Sequence, residues 1–146
     1  MRRRSDKSGP DRLYVEKEYL KDFRLLNDEA DSPFYKKRNQ DVFLMAMFVG
    51  IRYGSNPPIK KREELVRVEY LTDDDLSVLK AVAISEMKDP LVLLDLNKVF
   101  QIAEEYASGG IGYLKDAVFK KGFGSYEKRL ETDLIESFEK NYSNHK

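Results

Sequence analysis

Apolar side chains recur along this chain with a period that changes from one segment to the next, and each period predicts a different element. Between Glu16 and Leu26, the residues Tyr19, Leu20, Phe23 and Leu26 fall on one helical stripe. Asn27–Pro33 carries turn residues. The densest run, Val42–Val49, is apolar at every position and predicts a helix over 41–53, capped by Asn39 or Asp41 and stopped at Gly54. Pro57-Pro58 prevents its continuation. A helix without a polar face belongs in the middle of a domain, so 41–53 is expected to be the central core element.

Leu65–Leu71 alternates apolar and polar residues and contains β-branched side chains, which predicts a short strand or an extended lead-in to the next helix. A lone strand needs a partner, and the apolar patch Leu13–Val15 is the candidate. Thr72-Asp73-Asp74-Asp75 combines a capping hydroxyl with acids at the positive end of a helix dipole, and predicts a helix to Lys88. Asp89-Pro90 opens a short helical turn over Leu91–Leu94. Two more helices are expected at Asn97–Ala107 and Ile111–Lys120, separated by a stop at Ser108-Gly109-Gly110. Tyr126–Tyr142 reads as a last amphipathic helix with Leu130, Leu134, Ile135 and Phe138 on one side. The fold expected is therefore all-α, or α with a minor two-stranded β ribbon, in a single compact helical domain of five to seven helices. That domain covers 13–142, after a flexible basic arm at 1–12 and before a disordered tail at 143–146.

Composition narrows the chemistry. The chain of 146 residues is 41% hydrophobic, enough for a core, and its 36% charged content implies a densely ionic surface. It has no cysteine, so disulfides, thiolate zinc sites and cysteine nucleophiles are excluded. Its one histidine, His145, lies in the polar tail. The basic start lacks a following apolar region, and the longest apolar run is far short of the roughly twenty residues that span a bilayer. A cytoplasmic protein without membrane contact and without a cofactor is expected.

The remaining polar clusters have plain structural readings. Asp73-Asp74-Asp75 point in three directions on a helix, which suits capping better than a metal ion. Glu104-Glu105 and Asp116 suggest paired carboxylates but lack a nucleophile or base partner, so a solvated helical face is expected. Glu86 interrupts an apolar stripe and is expected half-buried against a basic residue. Gly109-Gly110-Ile111-Gly112 precedes a helix but matches neither a dinucleotide fingerprint nor a phosphate-binding loop. No catalytic or metal-ligating set emerges, and an enzyme is not expected.

Charge is distributed unevenly although the net charge is zero. From Lys36 to Arg62 seven basic residues, Lys36, Lys37, Arg38, Arg52, Lys60, Lys61 and Arg62, accompany a single acid, Asp41. They flank the 41–53 helix, with Tyr35 and Tyr53 beside them. Such cations contact phosphates and such tyrosines stack on bases; alternatively they are solvated caps on a hydrophobic helix. One continuous patch requires the 55–62 loop to fold back.

The segments QDVFLMAMFVGIRYGSNPPI (40–59), AISEMKDPLVLLD (83–95) and IAEEYASGGIGYLKD (102–116) resemble, in order and spacing, a small family known as Dnd system-associated protein 4. The likeness covers about residues 11–140. Ser108 stands where that family more often has Asn, and Ser55-Asn56-Pro57 where it commonly has a basic residue. The resemblance implies a non-enzymatic accessory subunit of a prokaryotic DNA-modification or anti-phage system, encoded near DNA phosphorothioation genes. It would bind DNA, a larger nuclease or helicase partner of the same system, or both; homo-oligomerisation is left open. The other reading is a protein–protein adaptor or inhibitor that does not touch nucleic acid. The resemblance supplies no catalytic residue.

Overall fold

A computed structural model of the chain describes residues 10–121 and 134–135. The segment 1–9, most of the expected helix at 126–142 and the tail at 143–146 lie outside the described residues.

The chain enters through strand β1 (Arg12–Glu16), makes a short 3-10 turn at Lys17–Tyr19 and continues as helix α1 (Leu20–Asp28). Helix α2 (Asn39–Tyr53) follows, then strand β2 (Arg62–Arg67), a 3-10 turn at Val68–Tyr70 and helix α3 (Asp73–Met87). A 3-10 segment at Pro90–Leu94 leads into the long helix α4 (Leu96–Lys121). The described residues thus hold four α-helices of at least nine residues and one two-stranded sheet, in place of five to seven helices.

Part of the difference in count comes from α4, which replaces two expected helices by one. Its glycines do not stop it. Backbone approaches at these positions are so close that a Cβ on Gly110 would collide with the Ala46 carbonyl of α2. One on Gly50 would collide with the Tyr106 carbonyl of α4, and one on Gly109 with the Ser55 carbonyl just past α2. Gly50 and Gly110 therefore let α2 and α4 cross backbone against backbone, as only small residues allow. Tertiary contact outweighs the local tendency of glycine to end a helix.

The two strands pair antiparallel, Leu13 opposite Val66 and Tyr14 opposite Glu64, so the register skips Leu65. That bulge puts Leu65 and Val66, consecutive residues, both inside, where a regular strand would alternate them. The 3-10 turn takes over from Val68 onward, within the stretch whose alternation predicts a strand. One core runs through these elements: Leu13 and Val15 of β1, Phe23 and Leu26 of α1, Phe43 and Met47 of α2, Leu79 of α3, and Ile111 and Leu114 of α4 are all fully buried.

Helix α2 is central but not enclosed. Its inner side buries Val42, Phe43, Ala46, Met47 and Val49. Its outer side leaves Phe48 44% exposed, with Ile51 also exposed and Leu44 and Met45 half-buried. An all-apolar sequence therefore does not mean an all-buried helix here. Gly54 ends α2 at φ 65°, the left-handed conformation that glycine adopts without a Cβ penalty. Helix α3 begins on a capping box: the Thr72 hydroxyl accepts from the Asp75 N–H, and the Asp75 carboxylate accepts from the Thr72 N–H, each at 3.0 Å. No described helix is long and apolar enough to cross a membrane.

Candidate functional site

Helix α4 carries the residues that hold the ribbon. β2 occupies one edge of β1, and the N–H groups on the other edge need acceptors. Glu104 and Ser108, one turn apart on α4, supply them. The Glu104 Oε2 accepts from the Tyr14 N–H at 3.0 Å, and the Ser108 Oγ from the Glu16 N–H at 3.1 Å. The match is geometric, because two residues along a strand and four along a helix both advance about 6–7 Å.

Glu104 is only 4% exposed, not the solvated residue expected from its sequence neighbourhood. Burial pushes its carboxyl up to about 7, against the Tyr14 N–H and the positive charge of Arg62, which both favour the ionised form. The Arg62 guanidinium lies over the Tyr14 ring, 4.0 Å from its centroid, with a nitrogen 3.9 Å from Glu104 Oε1. Glu104 and Arg62 line a cleft of about 340 Å³ together with Ile59, Phe100, Gln101 and Glu105. A carboxyl that titrates near neutrality in a cleft is a common mark of acid–base chemistry. Here one oxygen already accepts a backbone N–H and the other faces Arg62, so the group works as a clamp between α4 and the ribbon. Among the described residues no group of three or more His, Cys, Asp or Glu side chains is placed to hold a metal ion. Glu86 is exposed and accepts from the Tyr106 hydroxyl at 2.6 Å; its partner is a tyrosine rather than the expected basic residue.

The seven cations singled out in the sequence are all exposed, and they divide into groups. Lys36, Lys37 and Arg38 precede α2. Lys36 has a left-handed backbone, φ 62°, and its ammonium lies 5.4 Å from the Tyr35 ring centroid. Arg38 is engaged by Asp41, with guanidinium contacts of 2.9 and 3.2 Å. That pairing draws the Asp41 carboxyl below its ordinary range. Arg52 lies in the last turn of α2. Lys60 and Lys61 precede β2 and Arg62 opens it; the N–H groups of Lys60 and Lys61 donate to the Glu16 carboxylate at 2.8 and 3.0 Å. The chain does fold back after α2, since Asn39 at its start donates from Nδ2 to the Leu65 carbonyl at 3.3 Å. Arg38 and Arg62 are thus committed to internal partners, whereas Lys60 and Lys61 anchor their backbones and leave their side chains exposed.

The sequence pointed to Tyr53 but not to the ring it meets. Tyr53, at the end of α2, stacks on Tyr113 of α4, with ring centroids 4.4 Å apart and planes at 12°. Both are well exposed, 58% and 49%. Sixty residues separate them in sequence, and only the helix crossing brings them together.

Fold and site define a small, mainly helical domain built on one close helix crossing, with exposed cations before and after its central helix. The chain belongs to the DNA sulphur modification system-associated protein 4 family, whose model matches residues 14–146. It is thereby an accessory protein of a DNA sulphur modification system. No curated protein and no solved structure matches it.

Proposed function

We propose that this chain is a non-enzymatic accessory subunit that acts in the cytoplasm by contacting DNA through phosphates. Lys36, Lys37, Arg52, Lys60 and Lys61 are the contacts, and Arg38 and Arg62 hold the loops that present them. The observation that carries this reading is the concentration of seven cations against one acid over residues 36–62, every one of them exposed, in a chain of zero net charge. Phosphate contacts position a protein without reading bases, so sequence preference is slight. Fluorescence anisotropy with a short duplex tests the reading. Lys60→Glu with Lys61→Glu weakens binding while leaving the melting curve unchanged, because exposed substitutions typically cost under about 0.5 kcal/mol. Binding that the double reversal leaves unchanged would contradict it.

A second reading, docking to a larger protein subunit of the same system, rests on the apolar outer side of α2. Leu44, Met45, Phe48 and Ile51 lie along that side, where a solvated helix would carry charges. Affinity capture from nuclease-treated lysate, with Phe48→Asp as control, separates it from the DNA reading. Loss of a captured subunit in the variant alone supports docking.

A further inference from the structure

We propose that the Tyr53–Tyr113 stack is a ledge on which an unpaired base of single-stranded DNA stacks. The proposal rests on the DNA-contact reading and adds a ligand class to it. Two observations carry it beyond the exposure of the rings.

The first is the setting of the pair. The rings sit on the two helices whose backbones touch at Gly50 and Gly110, so the ledge is fixed by a crossing that is already buried and does not depend on the stack.

The second is Gly112. Gly50, Gly109 and Gly110 each lack a side chain because another backbone occupies the space. Gly112, immediately before Tyr113 in the middle of α4, is exposed, and a Cβ there would meet nothing within 4 Å. Glycine inside a helix is unfavourable relative to alanine, and packing among the described residues does not account for this one. Gly54, which follows Tyr53, also has open space around it, although its left-handed backbone explains its identity. The positions next in sequence to the two rings, Gly54 and Gly112, thus carry no side chain and have open space around them.

The class of ligand follows from the geometry of a ring face. Duplex bases offer only their edges, because their faces are covered by neighbours in the stack; an unpaired base offers a face, and aromatic platforms use it regardless of sequence. The exposed acid one turn away, Asp116, disfavours a phosphate at that point and leaves it to an N–H edge of a base.

The test compares a single-stranded oligothymidylate of twelve residues with an abasic strand of the same length, by anisotropy in 50 mM salt. Wild type is expected to bind the strand with bases about tenfold or more tighter, in line with the worth of one stacked base. Tyr113→Ala, and Gly112→Gln, which adds a side chain beside the ledge and is a good helix former, are expected to abolish that difference while both stay folded, Tyr113→Ala melting somewhat below wild type for the lost ring pair and Gly112→Gln at or above it. Equal binding of both strands by wild type overturns the ledge while leaving the phosphate contacts standing. Retention of the difference in both variants also overturns it. Absence of binding to either strand or to duplex would remove the underlying DNA reading as well.

Discussion

Glycines in the second half of the chain serve opposite purposes, and the contrast can be measured. At Gly110 an added methyl group runs into the Ala46 carbonyl, so Gly110→Ala has to push α2 and α4 apart. Its cost is about 1–3 kcal/mol or more, as for other overpacking changes. At Gly112 the space is open, and Gly112→Ala should stabilise by about 0.5–1 kcal/mol through helix propensity. Urea melts of the two variants should move in opposite directions; a shared direction would mean the crossing is misplaced. Ser108 was legible as a helix stop and is instead an acceptor for the Glu16 N–H. Sequence could not show this, because the partner strand lies 92 residues away.

Glu104 gives a pH dependence whose sign is fixed by its burial. Its carboxyl ionises near 7 when folded, against an ordinary value of 4.5, so folding takes up a proton between those values. The contribution is complete below about pH 4.5 and is lost as pH rises through 7, with a ceiling of about 3 kcal/mol from the size of the shift. Stability is therefore expected to be lower at pH 8 than at pH 5.5. Glu104→Gln, neutral at every pH, should flatten that difference. Equal wild-type stability at both pH values would show that Glu104 stays ionised inside.

At the scale of elements, α2 shows how far a hydrophobic pattern reaches. The run Val42–Val49 correctly marks the helix and its central place, but periodicity cannot tell which apolar residues face inward when all of them are apolar. Phe43 is fully buried, whereas Phe48, five residues on, is 44% exposed. Phe43→Asp should abolish soluble folding, since burying a large side chain is worth about 1.5–3 kcal/mol and a buried unpaired charge costs more. Phe48→Asp should fold with a melting temperature near wild type. Soluble expression followed by thermal melting decides it, and unfolding of both would return α2 to a fully enclosed position. The ribbon was legible from Leu13–Val15 and Leu65–Leu71 because strand signals need partners, and only these two were on offer. Its docking on α4 was not legible, since Glu104 and Ser108 look like ordinary helix-surface residues. The division of α4 at its glycines failed for the converse reason: the local signal was real, and the packing of α2 reversed its meaning.

The molecule as a whole joins a rigid crossing of α2 and α4, a ribbon clamped to it, and exposed cations before and after α2. Membership of a DNA sulphur modification family fits the sequence resemblance. The seven cations were legible one by one; that Arg38 and Arg62 are engaged internally was not, since Arg62 meets Glu104 and Tyr14 only in three dimensions. The decisive measurement is the salt dependence of duplex binding by the full chain. If Lys36, Lys37, Lys60, Lys61 and Arg52 neutralise four or five phosphates, the slope of log affinity against log salt is about 0.9 per contact, and binding falls by about two to three decades between 50 and 200 mM. The expected outcome is a steep fall that becomes shallower by about two contacts after reversal of Lys60 and Lys61. A flat salt dependence, or no duplex binding at 50 mM, would contradict the proposed DNA contacts and leave the apolar side of α2 as the working surface.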